Sequence, residues 1–167
     1  MRVTVLSDNI EGKTLRGEWG LSHYIEYGDK VVLLDAGVSD LYAENARLRG
    51  IDLETVDYAV LSHAHDDHAN GFESFFDINS HAPLFVAEKC SDNCYDIKDE
   101  GLVYAGIPRG MLERHADRVI RASGDMMIDN GIRLLGHTTA GLGQLGLAES
   151  MYARHHLRAK AVHRQRL

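Results

Sequence analysis

Residues 60 to 71 read Val-Leu-Ser-His-Ala-His-Asp-Asp-His-Ala-Asn-Gly, which places His63, His65, Asp67 and His68 within six positions. The apolar run Tyr58-Ala59-Val60-Leu61 comes just before, with the length and composition of a buried strand. The histidines therefore stand where a strand ends and a loop begins. Imidazole nitrogens suit zinc and iron, and a carboxylate adds a hard, anionic ligand. On extended chain His63 and His65 point to the same side, and the turn through Asp67 and His68 supplies a second pair. Two adjacent divalent cations are the natural reading, zinc first, with manganese or iron as alternatives. A single loop histidine is usually just a solvated side chain, but three with an aspartate at this spacing form a ligand pattern.

Around this segment the chain has 167 residues, 44% hydrophobic and 26% charged, the composition of one soluble globular domain. No run approaches the roughly 18 to 20 apolar residues that cross a bilayer. The Met-Arg-Val-Thr-Val start lacks a signal peptide's apolar stretch, so no membrane partner and a cytoplasmic location are expected. Cys90 and Cys94 are too few for a disulfide framework. The formal net charge of −7 disfavours general attraction to phosphate backbones, so nucleic acid is not an expected partner. From Ala153 to Leu167, however, five basic residues and three histidines (His155, His156, His163) occur with no acid. That end is compositionally foreign. The expected organisation is a domain over residues 1–150 and a basic tail over 151–167, disordered or helical.

In chain order, Arg2 to Leu6 alternates like a strand and Ser7 to Gly20 suits a surface loop. Trp19 is expected to pack at the mouth of the next strand. Leu21–Tyr27 and Lys30–Asp35 flank Gly28-Asp29 as a hairpin. Asp35-Ala36-Gly37 offers a strand-end carboxylate, but the simpler reading is a turn in which Asp35 bonds its own backbone. Ser39 caps a helix from Asp40 to Arg49, with Leu41, Asn45 and Leu48 along one face and Gly50 as its stop. Phe72, Phe75 and Phe76 form a helical turn behind the metal loop, and Pro83–Ala87 is a further strand. Glu88 to Gly101 reads as a polar, acidic loop carrying two free thiols rather than a structural zinc site. Pro108 opens a helix to about Ala116. Arg118–Arg121 and Met126–Ile128 are short strands, and Asn130-Gly131 turns into Ile132–Leu135. His137 reads as an ordinary polar residue, and the glycines of residues 141–146 match no phosphate loop well.

The Leu61-Ser62-His63 to Gly71 segment resembles the His-x-His-x-Asp-His signature of the metallo-β-lactamase superfamily, with Asp66 at one of its variable positions. Together with Val3 to Asn9, Gly17-Glu18-Trp19-Gly20-Leu21-Ser22 and Leu34-Asp35-Ala36-Gly37, it is similar to the dihydropterin-ribofuranosyl-aminobenzene-phosphate synthase-like subgroup. Softer similarity runs on through Tyr104–Pro108 and Leu135–Thr139. The resemblance implies an α/β fold, a four-layer αββα sandwich with the metals at one edge. It implies that His63 and His65 hold one metal, and Asp67 and His68 the other. A metal-bound hydroxide would then attack an ester, lactone or phosphoester-type bond of a small molecule, with Asp67 orienting it.

The superfamily draws further ligands from the second half of its domain, and residues 151–167 match none of its motifs. A truncated or frameshifted gene is one expectation; a chain that completes its site by dimerising is the other. Either predicts an unpartnered first sheet, and so self-association. Two functions compete: a metal-dependent hydrolase, inactive if its second half is lost, and a non-catalytic metal-binding or self-associating fragment. A nuclease, the third class, is opposed by the acidic body.

Overall fold

The computed structural model describes residues 1–98, 101–136 and, as backbone only, 151–153. His137, the glycines of 141–146, the tail histidines and the expected tail conformation beyond 153 lie outside them. The strands are β1 (Arg2–Ser7), β2 (Ser22–Tyr27), β3 (Lys30–Leu34), β4 (Tyr58–Val60), β5 (Leu84–Ala87), β6 (Cys94–Lys98), β7 (Gly101–Tyr104), β8 (Val119–Ala122), β9 (Met126–Asp129), β10 (Ile132–Leu134) and β11 (Met151–Ala153). The helices are α1 (Leu41–Leu48), α2 (Asp66–Ala69), α3 (Phe72–Ile78) and α4 (Met111–Arg114).

Six strands form one mixed sheet in the order β1-β2-β3-β4-β5-β8. β1, β2 and β3 are antiparallel, whereas β3, β4, β5 and β8 run parallel. Parallel neighbours need crossover connections, and α1, α3 and α4 lie in the three that join β3 to β4, β4 to β5 and β5 to β8. Register decides which residues meet these helices. Tyr24, Leu33, Ala59 and Leu84 share one row across the sheet. That row is buried in a core with Tyr42, Ala46, Phe72, Phe75 and Met111. The opposite row, Val5, His23, Leu34, Val60, Phe85 and Ile120, is also largely apolar. The β9–β10 hairpin reaches this second face, where Tyr58 donates its hydroxyl hydrogen to Asp129 at 2.7 Å. A third, smaller sheet has the order β11-β6-β7. The described residues thus form a mixed α/β architecture: a helix layer, a central sheet and two smaller sheets.

Several local expectations are corrected. Helix α1 buries Leu41, Tyr42, Asn45 and Ala46, while Leu48 faces solvent. Asn45 belongs inside because its amide donates to the carbonyls of Leu6 (2.8 Å) and Arg16 (2.9 Å). Ser39 Oγ does accept the Leu41 N–H, at 3.2 Å. The helix after Pro108 is only Met111–Arg114, because Gly110 at φ +71° interrupts the chain between them. The segment read as a loop from Glu88 contains β6, whose edges pair with β7 and β11. Trp19 is 72% exposed rather than packed.

Candidate metal centre

The parallel register of β3 and β4 aligns Leu34 with Val60, so their next residues, Asp35 and Leu61, leave the sheet side by side. At that edge Asp35 takes a left-handed backbone, φ +58°, which few non-glycine residues adopt and which aspartate tolerates better than most. Its N–H donates to Val60 O at 2.9 Å, and its own carbonyl accepts the Ser22 hydroxyl at 2.8 Å. The carboxylate, 1% exposed, is turned toward the histidine loop and does not bond its own backbone. The turn reading of Asp35 is therefore overturned.

What Asp35 binds fixes the protons of the site. A carboxylate can only accept hydrogen bonds. It takes one from Ser62 N–H (2.7 Å), one from Ser62 Oγ (2.6 Å) and one from His68 Nδ1 (2.7 Å). His68 is thus protonated on Nδ1 and carries its reactive lone pair on Nε2. Ser62 has committed its one hydrogen to Asp35, so at 2.8 Å from His63 Nδ1 it must accept. His63 accordingly also bears its proton on Nδ1 and presents a bare Nε2. One buried carboxylate sets the tautomer of two histidines, directly and through Ser62, as outer-shell carboxylates do for metal-binding imidazoles.

His63 Nε2 lies 3.1 Å from His65 Nδ1. Two imidazoles on one tetrahedral zinc, at 2.0–2.1 Å each, would set their nitrogens about 3.3 Å apart. His65, in extended conformation, immediately precedes α2, whose first turn holds Asp66 and Asp67. Ligand-capable atoms gather as His63, His65 and Asp67, and as Asp35, His63 and His68, each group within 4.8 Å. His68 Nε2 is also 3.7 Å from Asp67 Oδ2. The four expected residues are thus brought together as one continuous cluster that shares His63. Because three donors already occupy Asp35, its place is that of an orienting group behind the cluster. The donor set of imidazoles and carboxylate fits a divalent cation such as zinc.

The electrostatics agree with this division. Burial, followed by the charges of His68 and His65, holds the His63 pKa below the ordinary histidine range. His68 moves the other way: the hydrogen bond to Asp35 raises it, aided by the charges of Asp35 and Asp67 and opposed by burial. Neighbouring backbone also positions the loop. Leu21 N–H donates to Asp67 O at 3.2 Å, Ala36 N–H to His68 O at 2.9 Å, and Asp66 N–H to Ala105 O at 3.2 Å.

Sequence reasoning missed Ser62 and the role of Asp35. The available signal was the strand-end Asp35 itself, but only the β3–β4 register reveals that it meets Ser62. It also missed the surroundings of the two cysteines. Cys90 is buried and Cys94 begins β6, so neither lies in a free surface loop.

A family model described as the metallo-beta-lactamase superfamily matches residues 20–149. The solved structure of Tm1679, a metal-dependent hydrolase of the beta-lactamase superfamily, is 26% identical with a TM-score of 0.60, over 80% of this chain and 47% of that one. BJP-1, a subclass B3 metallo-beta-lactamase of Bradyrhizobium japonicum, aligns over 84% of this chain and 53% of its own at a TM-score of 0.51 and 19% identity. An uncharacterised protein of Methanocaldococcus jannaschii is 39% identical over 72 residues, 42% of this chain and 28% of that protein. The chain therefore spans about half the length of these solved structures, and the match covers less of the curated relative. With the match extending over most of the chain, and the helix layer, mixed sheet and histidine cluster in place, the chain belongs to the metallo-beta-lactamase superfamily.

Proposed function

We propose that the chain is a metal-dependent hydrolase acting on an ester, lactone or phosphoester-type bond of a small molecule. Its metal ligands on this reading are His63, His65, Asp67 and His68, and two divalent cations, zinc first, are its cofactors. The observation that carries the reading is the hydrogen-bond arrangement around Asp35, which assigns the proton of each neutral imidazole to Nδ1 and so leaves His63 Nε2 and His68 Nε2 free to donate toward the cluster. A bound divalent cation supplies an acidified water as nucleophile and polarises the bond under attack. Asp67, gathered with His63 and His65, is assigned to orient that water. Asp35 and Ser62 hold the imidazoles in the tautomers that donate outward.

Protein dialysed against zinc, manganese or iron is expected to take up metal and to hydrolyse at least one member of an ester, lactone and phosphodiester panel. His63→Ala and His68→Ala are expected to lose both properties. One observation favours a second reading, a metal-binding module without turnover: the chain spans about half the length of its solved relatives. Metal uptake that depends on His63 and His68, with no turnover across the panel, would establish that module in place of the hydrolase.

A further inference from the structure

Parallel strands end at the edge where the histidine loop begins. Leu61 N–H donates to Phe85 O and Glu88 N–H to Ala122 O, each at 2.9 Å, so the segments that follow β4, β5 and β8 emerge along one edge. After β5 the chain makes a tight turn, Cys90 N–H donating to Ala87 O at 2.9 Å, with Lys89 at its third position. Arg121 Nη1 donates to the carbonyls on both sides of that lysine, Glu88 O at 3.1 Å and Cys90 O at 2.7 Å. The backbone at Lys89 is therefore clamped. Its side chain is exposed, and among the described residues it forms no ion pair. The neighbouring Glu88 carboxylate instead accepts the Ser123 hydroxyl at 3.1 Å.

Two cavities meet at this lysine. The larger, about 470 Å³, is walled by apolar side chains such as Leu61, Phe85, Leu134 and Leu135, and it reaches Ser62. The smaller, about 220 Å³, has His63 and His65 in its wall. Among the described residues Lys89 is common to both linings, and it is the one lysine or arginine in either. Ser62 Oγ lies 2.8 Å from His63 Nδ1, so the apolar cavity starts one residue from the candidate ligands. Small-molecule sites usually enclose roughly 300–1,000 Å³, apolar with a few placed polar groups, and the larger cavity has that size and character.

We propose that Lys89 is a specificity-determining residue for substrates that carry an anionic group beside an apolar body, an inference that rests on the hydrolase reading above. The apolar body occupies the larger cavity, the anion meets Lys89 at the junction, and the bond to be cleaved lies over His63 and His65. An ammonium is a compact point charge with three rotatable donors, so it accepts carboxylate and phosphate alike rather than one planar geometry. Burial of apolar surface is non-directional, and the charge therefore fixes which end enters the smaller cavity. The formal net charge of −7 repels anions in general, so an anionic substrate needs a local cation of this kind.

Calorimetric binding to the full-length chain tests the anion site without turnover, with 4-phenylbutyrate, 4-phenylbutyl phosphate and the neutral 4-phenylbutyramide as probes. On zinc-free protein the two anions are expected to bind about 10-fold tighter than the amide. Lys89→Met removes the charge and should bring all three to the affinity of the amide, whereas Lys89→Arg should keep the preference. Leu135→Ala, at a residue 76% exposed and so of little consequence for folding, should weaken all three alike. A Lys89-dependent preference for one of the two anions alone supports the site and identifies the group it takes. Equal affinities for anions and amide, or a preference that survives Lys89→Met, would overturn the inference. Anion binding that appears only with zinc would place the anion on the metal and overturn it as well. Phenol release by zinc-loaded protein separates this inference from the hydrolase reading. Monophenyl glutarate should be cleaved faster than its neutral methyl ester, and Lys89→Met should lower kcat/KM about 10- to 100-fold on the first and little on the second. Turnover of both that ignores Lys89→Met would remove the specificity role and leave the hydrolase. No turnover of either, with Lys89-dependent binding intact, would overturn the hydrolase and the substrate role together, leaving an anion-binding cavity.

Discussion

A single buried carboxylate organises the candidate site. Asp35 is saturated by Ser62 and His68, and this forces the protonation pattern of His63 as well. In the metal-free protein, imidazole NMR titration should therefore show His68 above the ordinary histidine value of about 6.5 and His63 below it. The signs have opposite consequences. A raised folded-state pKa at His68 contributes stability that is fully present below the unfolded value and is lost as pH rises through the folded one. The lowered pKa at His63 contributes stability present above the unfolded value and lost as pH falls through the folded one. Asp35→Asn removes the acceptor charge and should bring His68 down toward its ordinary value; an unchanged titration would show that Asp35 does not control it. Metal and proton compete for His68 Nε2, so zinc affinity should climb as pH rises through the His68 midpoint. Ser62→Ala breaks the relay to His63 and should weaken zinc binding roughly 10- to 100-fold, the usual cost of losing an outer-shell partner, as read by competition with a chromophoric chelator.

At the scale of elements, the histidine loop is held against the β1–β2 loop and the strand end after β3 by backbone that tolerates no side chain. A Cβ at Gly20 would overlap the Asp67 carbonyl oxygen, and φ there is +136°. At Gly71 a Cβ would overlap the Ala36 carbonyl oxygen and press on the Tyr42 ring. Gly71→Ala should therefore cost about 1–3 kcal/mol in urea unfolding. Gly20→Ala should also lower zinc affinity, because it displaces Asp67; unchanged affinity would separate that contact from the site. Asn79, fully buried at the end of α3, joins the 3-10 turn at Leu53–Thr55 to the connection between α3 and β5. Its amide donates to the carbonyls of Leu53 and Val56, and its carbonyl accepts the N–H groups of His81 and Ala82. Asn79→Ala strands several buried partners and should cost about 2–4 kcal/mol by the same measurement. What the sequence could disclose follows the same division. The apolar run Val31–Leu34 and the close spacing of the histidines are local signals, and both were legible. Asp35 meets His68 across 33 positions through parallel register, which no local pattern encodes. Strand β6 was hidden because its short Cys-Tyr-Asp-Ile-Lys run sits within the polar, acidic stretch from Glu88 to Gly101 and its partners include residues 151–153. Trp19 misled because a large aromatic usually packs, and here it stands in solvent.

At the scale of the molecule, the two faces of the central sheet are unequal. One face is sealed by α1, α3 and α4 in a continuous core, and Phe75→Ala there should cost about 3–5 kcal/mol. The other face carries the row from Val5 through Leu34 and Val60 to Ile120, and the described residues bring the β9–β10 hairpin against its Tyr58 end. Val3 and Val5 remain 47% and 43% exposed, and Ile120 38%. Such exposure at the two edges of this face favours association of copies of this chain. Its formal net charge of −7 opposes that association by mutual repulsion. The two effects differ in their response to salt. Added salt screens the repulsion and leaves burial of apolar surface intact, so association should strengthen from low to moderate ionic strength. Sedimentation velocity is expected to show a sedimentation coefficient that rises with protein concentration, and rises further with salt. Val5→Lys combined with Ile120→Lys places charge at both edges of the same face and should return the chain toward a monomer, with its circular dichroism spectrum retained. A coefficient independent of concentration and salt in the unsubstituted chain would mean that this face is covered within one copy.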